Sequence, residues 1–94
     1  MVIDCHGHYT TVPRDVQAFR DAQIAGLRGG PAPPTDISDD QIRESVQPQL
    51  AFQATRGTDL TIFSPRASAM GHHVGDPTAN VHWAQHCNDL VHRV

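Results

Sequence analysis

Short β-favouring runs alternate with longer stretches of helical period along this chain. Val2-Ile3-Asp4-Cys5-His6 reads as a strand over residues 2–6, followed by the polar turn Gly7-His8-Tyr9-Thr10. Residues 14–28 carry apolar side chains at Val16, Phe19, Ala22 (or Gln23), Ala25 (or Gly26) and Leu27, which predicts an amphipathic helix ended by Gly29-Gly30. Pro31-Ala32-Pro33-Pro34-Thr35 is a stiff, extended linker, too short to mark a domain boundary.

The next helix has the clearest start signal. Ser38 and Gln41 form a capping-box pattern, flanked by Ile37 and Ile42 as a hydrophobic staple. Asp39 and Asp40 fall in the first turn, where the helix dipole favours negative charge. Pro48 removes one amide donor and is expected to kink this helix or divide it in two. Leu50, Phe52 and Ala54 continue it to Arg56-Gly57. Asp59-Leu60-Thr61-Ile62-Phe63 is a second strand, left by Ser64-Pro65-Arg66-Ala67-Ser68 and a loop with His72, His73 and Gly75. Asp76-Pro77 supplies a cap and first helical residue for a last helix from about residue 78.

Strand, helices, strand, helix is the order of a parallel α/β sheet or barrel. The right-handed crossover rule predicts residues 2–6 and 59–63 as parallel neighbours, with the intervening helices outside. Ninety-four residues suffice for one small domain. An eight-stranded β/α barrel needs about 250. The last helix runs to Val94 with no Gly or Asn to end it. The expectation is an N-terminal fragment of a larger enzyme, with residues 1–94 belonging to a single domain.

Composition narrows the partners. The formal charge is −3, with seven Arg and no Lys. No basic stripe suits nucleic acid. No apolar stretch reaches membrane-spanning length, and no charged n-region or h-region opens the chain. Cytoplasmic localisation is the expectation. Cys5 and Cys87 make no disulfide framework. Cys5 alternates with the histidines and is expected to face a packing layer, so both thiols read as buried and inert.

His6 and His8 carry the chemistry. Residues i and i+2 of a strand share a face, so both imidazoles can point at one metal ion, with Gly7 leaving room for close approach. The other reading is a pair of loop histidines that need no ligand. Asp4 shares their face and can orient a ligand histidine without touching the metal. A zinc site needs three or four ligands. His82 and His86, one helical turn apart, are a rival pair, and a closed four-histidine site with His6 and His8 is conceivable. A polar or partly buried helix surface explains His82, His86 and His92 as well. Arg66, just past the second strand, can grip a carboxylate through two parallel hydrogen bonds; its alternative is a salt bridge to a local Asp. His72 and His73 can donate to substrate or act as acid and base, or stand as exposed loop residues. Trp83 and Phe63 read as core.

Ile3-Asp4-Cys5-His6-Gly7-His8-Tyr9-Thr10-Thr11, Gly57 to Ser68 and Met70-Gly71-His72-His73-Val74-Gly75-Asp76 resemble the N-terminal third of the 4-oxalomesaconate hydratases, in the amidohydrolase superfamily. The His-x-His motif is common to that superfamily; the Ser-Pro-Arg-Ala-Ser and His-His-x-Gly-Asp segments are the specific ones. The resemblance implies the N-terminal portion of a truncated (β/α)8 TIM barrel with parallel strands. It implies a zinc-dependent (or other divalent-metal) hydro-lyase that adds water to an unsaturated polycarboxylate keto acid in protocatechuate or gallate degradation. A metal-dependent decarboxylase or hydrolase of the same scaffold, and a non-catalytic metal-binding fragment, remain open. By this resemblance His6 and His8 are metal ligands; Arg66, His72 and His73, from their place at the strand end and the following loop, are expected to serve the substrate. The general acid/base and the remaining ligands fall beyond Val94, so the fragment alone is expected to be inactive. The full-length enzyme could be a homo-oligomer.

Overall fold

A computed structural model describes residues 1–27, 29, 36–65, 71 and 73–94. The order is β1 (Ile3–His8), α1 (Arg14–Gly26), α2 (Asp39–Thr55), β2 (Leu60–Ser64) and α3 (Pro77–Arg93). The two strands pair in parallel, as the crossover rule requires, with Ile3 opposite Leu60 and His8 opposite Ser64. The ladder is irregular between Asp4 and Gly7.

β1 is longer than its sequence suggests. Gly7 and His8 find ladder partners in Phe63 and Ser64, so both histidines lie inside the strand. Gly7 is buried at the tightest point of the pair. A Cβ there would run into the Thr61 methyl and press on the Ile62 carbonyl and the Phe63 ring.

The helices cover one face of the sheet. Tyr9, Val16, Ile37, Ile42, Val46, Trp83, Cys87 and Leu90 form the core, with Phe63 packed against it from β2. Tyr9 and Phe63 stack at 5.9 Å between ring centres. Leu60 and Ile62 alternate to the opposite face and are 53% and 57% exposed. Covering reaches only the C-terminal half of β1: Gly7 and Tyr9 are buried while Val2, Ile3 and Cys5 are exposed. The expectation of a buried Cys5 is therefore wrong: among the described residues no helix covers that end of the strand. Cys87 is buried as expected, and its thiol pKa is pushed up to about 11 by burial, against an opposing pull from Arg20.

Both helix starts follow the sequence. The Ser38 hydroxyl accepts from the Gln41 amide at 3.2 Å and the Gln41 side chain accepts from the Ser38 amide at 2.9 Å. Ile37 and Ile42 on either side are both buried. Asp76 caps α3 by accepting from the Ala79 amide at 2.8 Å. Of the two expected outcomes at Pro48, the division does not occur: α2 runs through it in one piece. Pro48 and Glu44 both lie on the exposed side of the helix, so water can satisfy the Glu44 carbonyl that lost its partner.

The buried face of α1 also differs from the apolar pattern. Val16, Arg20 and Gln23 are its buried residues, and Leu27 is exposed. The Arg20 guanidinium, only 4% exposed, donates to the Gln23 side chain, the carbonyls of Gly71 and Val74 and the Asn80 side chain, all within 3.2 Å. It also lies 5.2 Å from the centre of the Trp83 ring. Gln23 donates to the Ala79 carbonyl at 2.8 Å. Arg20 and Gln23 together tie α1 to the segment leading into α3.

Among the described residues no helix is long and apolar enough to cross a membrane.

Candidate metal and substrate site

The strand pleat puts His6 and His8 on one side of the sheet, with ring centres 5.0 Å apart and planes nearly perpendicular. Two imidazoles on one tetrahedral ion, each with its nitrogen about 2.1 Å from the metal, place their ring centres about 5 Å apart. The spacing therefore fits ligation by both rings. His6 is exposed and His8 half-buried, so the face between them is open to a ligand.

The surroundings hold the main chain of this segment in place. Asp4 accepts from the His6 amide at 3.1 Å, so its carboxylate braces the backbone that carries His6. Gln49 of α2 donates to the His8 carbonyl at 2.7 Å and accepts from the Thr10 amide at 3.0 Å, clamping the strand exit. Tyr9 points the other way, into the core, where its hydroxyl donates to the Ile42 carbonyl and meets Ser45. Burial raises the Tyr9 pKa, partly offset by the Ser45 contact. The His8 Nδ1 lies 3.0 Å from both the Ser64 hydroxyl and the Pro65 carbonyl at the end of β2. Sequence reasoning does not reach Gln49, Ser64 or Pro65 as partners of this site. Nothing local marks them, since each acts on a residue about forty or more positions away.

The other site candidates fare differently. His73 is exposed on the loop before α3. Arg66 and His72 lie outside the described residues. His82 and His92 are exposed, in keeping with a polar helix surface. His86 is half-buried and stacks on Phe19 with ring centres 4.0 Å apart and planes within 6°, with Trp83 alongside. The four-histidine site does not form: among the described residues no group of three or more His, Cys, Asp or Glu could hold a metal. Among the described residues His6 and His8 stand as a pair with no third candidate ligand beside them.

Burial lowers the His86 pKa, with Asp89 raising it and Arg93 lowering it. The unfolded chain then takes up a proton before the folded one does. The stability that neutral His86 contributes is full above the ordinary histidine value and is lost as the pH falls through the lower, folded-state value. Denaturant melts across the mildly acidic range should show stability falling with pH. His86→Phe, which keeps the stack on Phe19, should flatten that dependence; an unchanged slope would refute the assignment.

The chain is 55% identical over 97 aligned positions to a 2-keto-4-carboxy-3-hexenedioate hydratase from Sphingobium sp. (strain NBRC 103272 / SYK-6). All of this chain and 28% of that protein are covered. It also superposes on the crystal structure of 4-oxalomesaconate hydratase from Rhodopseudomonas palustris with a TM-score of 0.82 and 42% identity. That match covers 99% of this chain and 28% of the crystal structure's chain.

From end to end, this chain is close to a stretch of the 4-oxalomesaconate hydratases.

No family model matches the chain. Its α/β fold with parallel strands is the fold of that stretch of the hydratase, and the chain spans just over a quarter of the length of either relative.

Proposed function

We propose that this chain is the N-terminal portion of a single barrel domain of the amidohydrolase type, and that the enzyme bearing it is a metal-dependent hydratase. Its substrate would be an unsaturated polycarboxylate keto acid of the kind met in protocatechuate or gallate breakdown. The observation that carries the hydratase reading is the end-to-end likeness, in sequence and in structure, to proteins named as a 2-keto-4-carboxy-3-hexenedioate hydratase and a 4-oxalomesaconate hydratase. The His6–His8 geometry supports the metal, with zinc as the expected ion.

When bound, the metal would polarise a substrate oxygen or activate water. The chain's own residues do the rest of what can be assigned. His6 and His8 hold the ion from one strand face, with Asp4 and Gln49 bracing the backbone on either side. Arg66 fixes a substrate carboxylate, and His72 and His73 contact substrate from the neighbouring loop. The general acid/base is to be sought outside these residues. With two ligands only, the 94-residue chain by itself should hold metal weakly and turn nothing over.

Incubating the enzyme that carries this stretch with 4-oxalomesaconate, and following the product by NMR, tests the reaction. A hydrated product that disappears with a chelator supports the reading, whereas decarboxylation or hydrolysis would move the enzyme to another chemistry. Arg66→Lys should impair turnover there while metal content and melting temperature stay unchanged, because an ammonium cannot reproduce the planar two-point grip of a guanidinium. Normal kcat/KM with lowered stability would instead make Arg66 a structural partner of a nearby Asp.

A further inference from the structure

Two acceptors converge on one nitrogen of His8. The Pro65 carbonyl oxygen, 3.0 Å from Nδ1, can only accept. The Ser64 hydroxyl, also 3.0 Å from Nδ1, has one proton, and the Gly7 carbonyl lies 3.0 Å away to receive it. With that proton committed to Gly7, the Ser64 oxygen presents only lone pairs to the ring. A bare Nδ1 would set lone pair against lone pair at the Pro65 contact and leave either the Gly7 or the Ser64 contact unmade. A protonated Nδ1 satisfies all three.

We propose that Ser64 and the Pro65 carbonyl, at the end of β2, fix neutral His8 as its Nδ1–H tautomer and so make Nε2 the nitrogen offered to a ligand. Ser64 is then a positioning residue that acts through His8 and touches no ligand itself. The arrangement spans the two strands: Ser64 bonds the Gly7 backbone and the His8 ring, so the strand pairing itself sets the imidazole's orientation. A lone imidazole in water favours the opposite tautomer, with the proton on Nε2, so the assignment departs from the default. Its relevance to zinc rests on the metal reading above; the tautomer does not.

Nitrogen NMR of the labelled imidazoles tests it, recorded on the metal-free protein at a pH well above the ordinary histidine value. The expected result is a protonated-type signal for His8 Nδ1 and a bare-type signal for Nε2. Ser64→Ala should shift the His8 signals towards the mixed values of an exchanging ring. It should also weaken zinc binding, measured by calorimetry with zinc alone, by about 10-fold or more, the cost typical of losing a partner behind a metal-ligating histidine. Ser64→Thr, which keeps the hydroxyl on a β-favouring side chain, should restore both. A proton on His8 Nε2 in the unsubstituted protein overturns the proposal, as does a Ser64→Ala protein with unaltered His8 signals. An Nδ1–H ring in an enzyme that carries this stretch yet ignores zinc would uphold the tautomer and sink the metal reading, which keeps the two failures apart.

Discussion

Arg20→Met should lower the unfolding free energy by about 2–4 kcal/mol, among the largest effects open to a single substitution in this chain. Arg20 is buried on α1 beside Val16 and Gln23, and among the described residues it meets no carboxylate in its hydrogen bonds. Its charge is instead shared among neutral oxygens and the face of Trp83. Methionine keeps much of the stem's volume and loses every donor. The carbonyls of Gly71 and Val74 and the side chain of Gln23 then lose a donor in a buried or half-buried setting, and the cost of unmet acceptors exceeds the modest net value of the bonds themselves. Trp83 is the single tryptophan and packs against the guanidinium, so its fluorescence reports the transition directly. A loss below about 1 kcal/mol would mean that water reaches these oxygens once the guanidinium is gone.

The second large effect is on metal. His6→Ala and His8→Ala, each made in the enzyme that carries this stretch, should each strip most bound zinc, weakening it by more than the roughly 100-fold that loss of a mere supporting partner can cost. Activity should fall with the metal. Elemental analysis decides it: zinc content unchanged in both variants would return the pair to the alternative of ordinary histidines beside a glycine. The fold should survive both changes, since His6 is exposed and His8 half-buried on the open face, away from the core of Tyr9, Ile42 and Trp83.

Much of this architecture is legible from local signals. The caps at Ser38 and Asp76 act over three residues, so the residue types there suffice to start α2 and α3. The strand–helix–strand order implies a parallel pair, because a crossover of this length returns the chain in the same direction. The spacing of His6 and His8 places both rings on one side, because the pleat repeats every two residues. What sequence pattern does not supply is the partners brought from afar. Pro48 reads as a kink or a break, yet α2 stays undivided, because its exposed side lets water meet the orphaned carbonyl. Cys5 reads as buried by alternation, yet alternation assigns a face and not the element that covers it. The apolar stripe read for α1 leaves out Arg20 and admits Gln23 only as an alternative to Ala22, while the acceptors that bury both come from Gly71, Val74, Ala79 and Asn80, far along the chain. The same holds for His8. Its spacing from His6 is written in the chain, while the choice of which nitrogen faces outward belongs to Ser64 and Pro65, more than fifty residues away and adjacent only because the two strands pair.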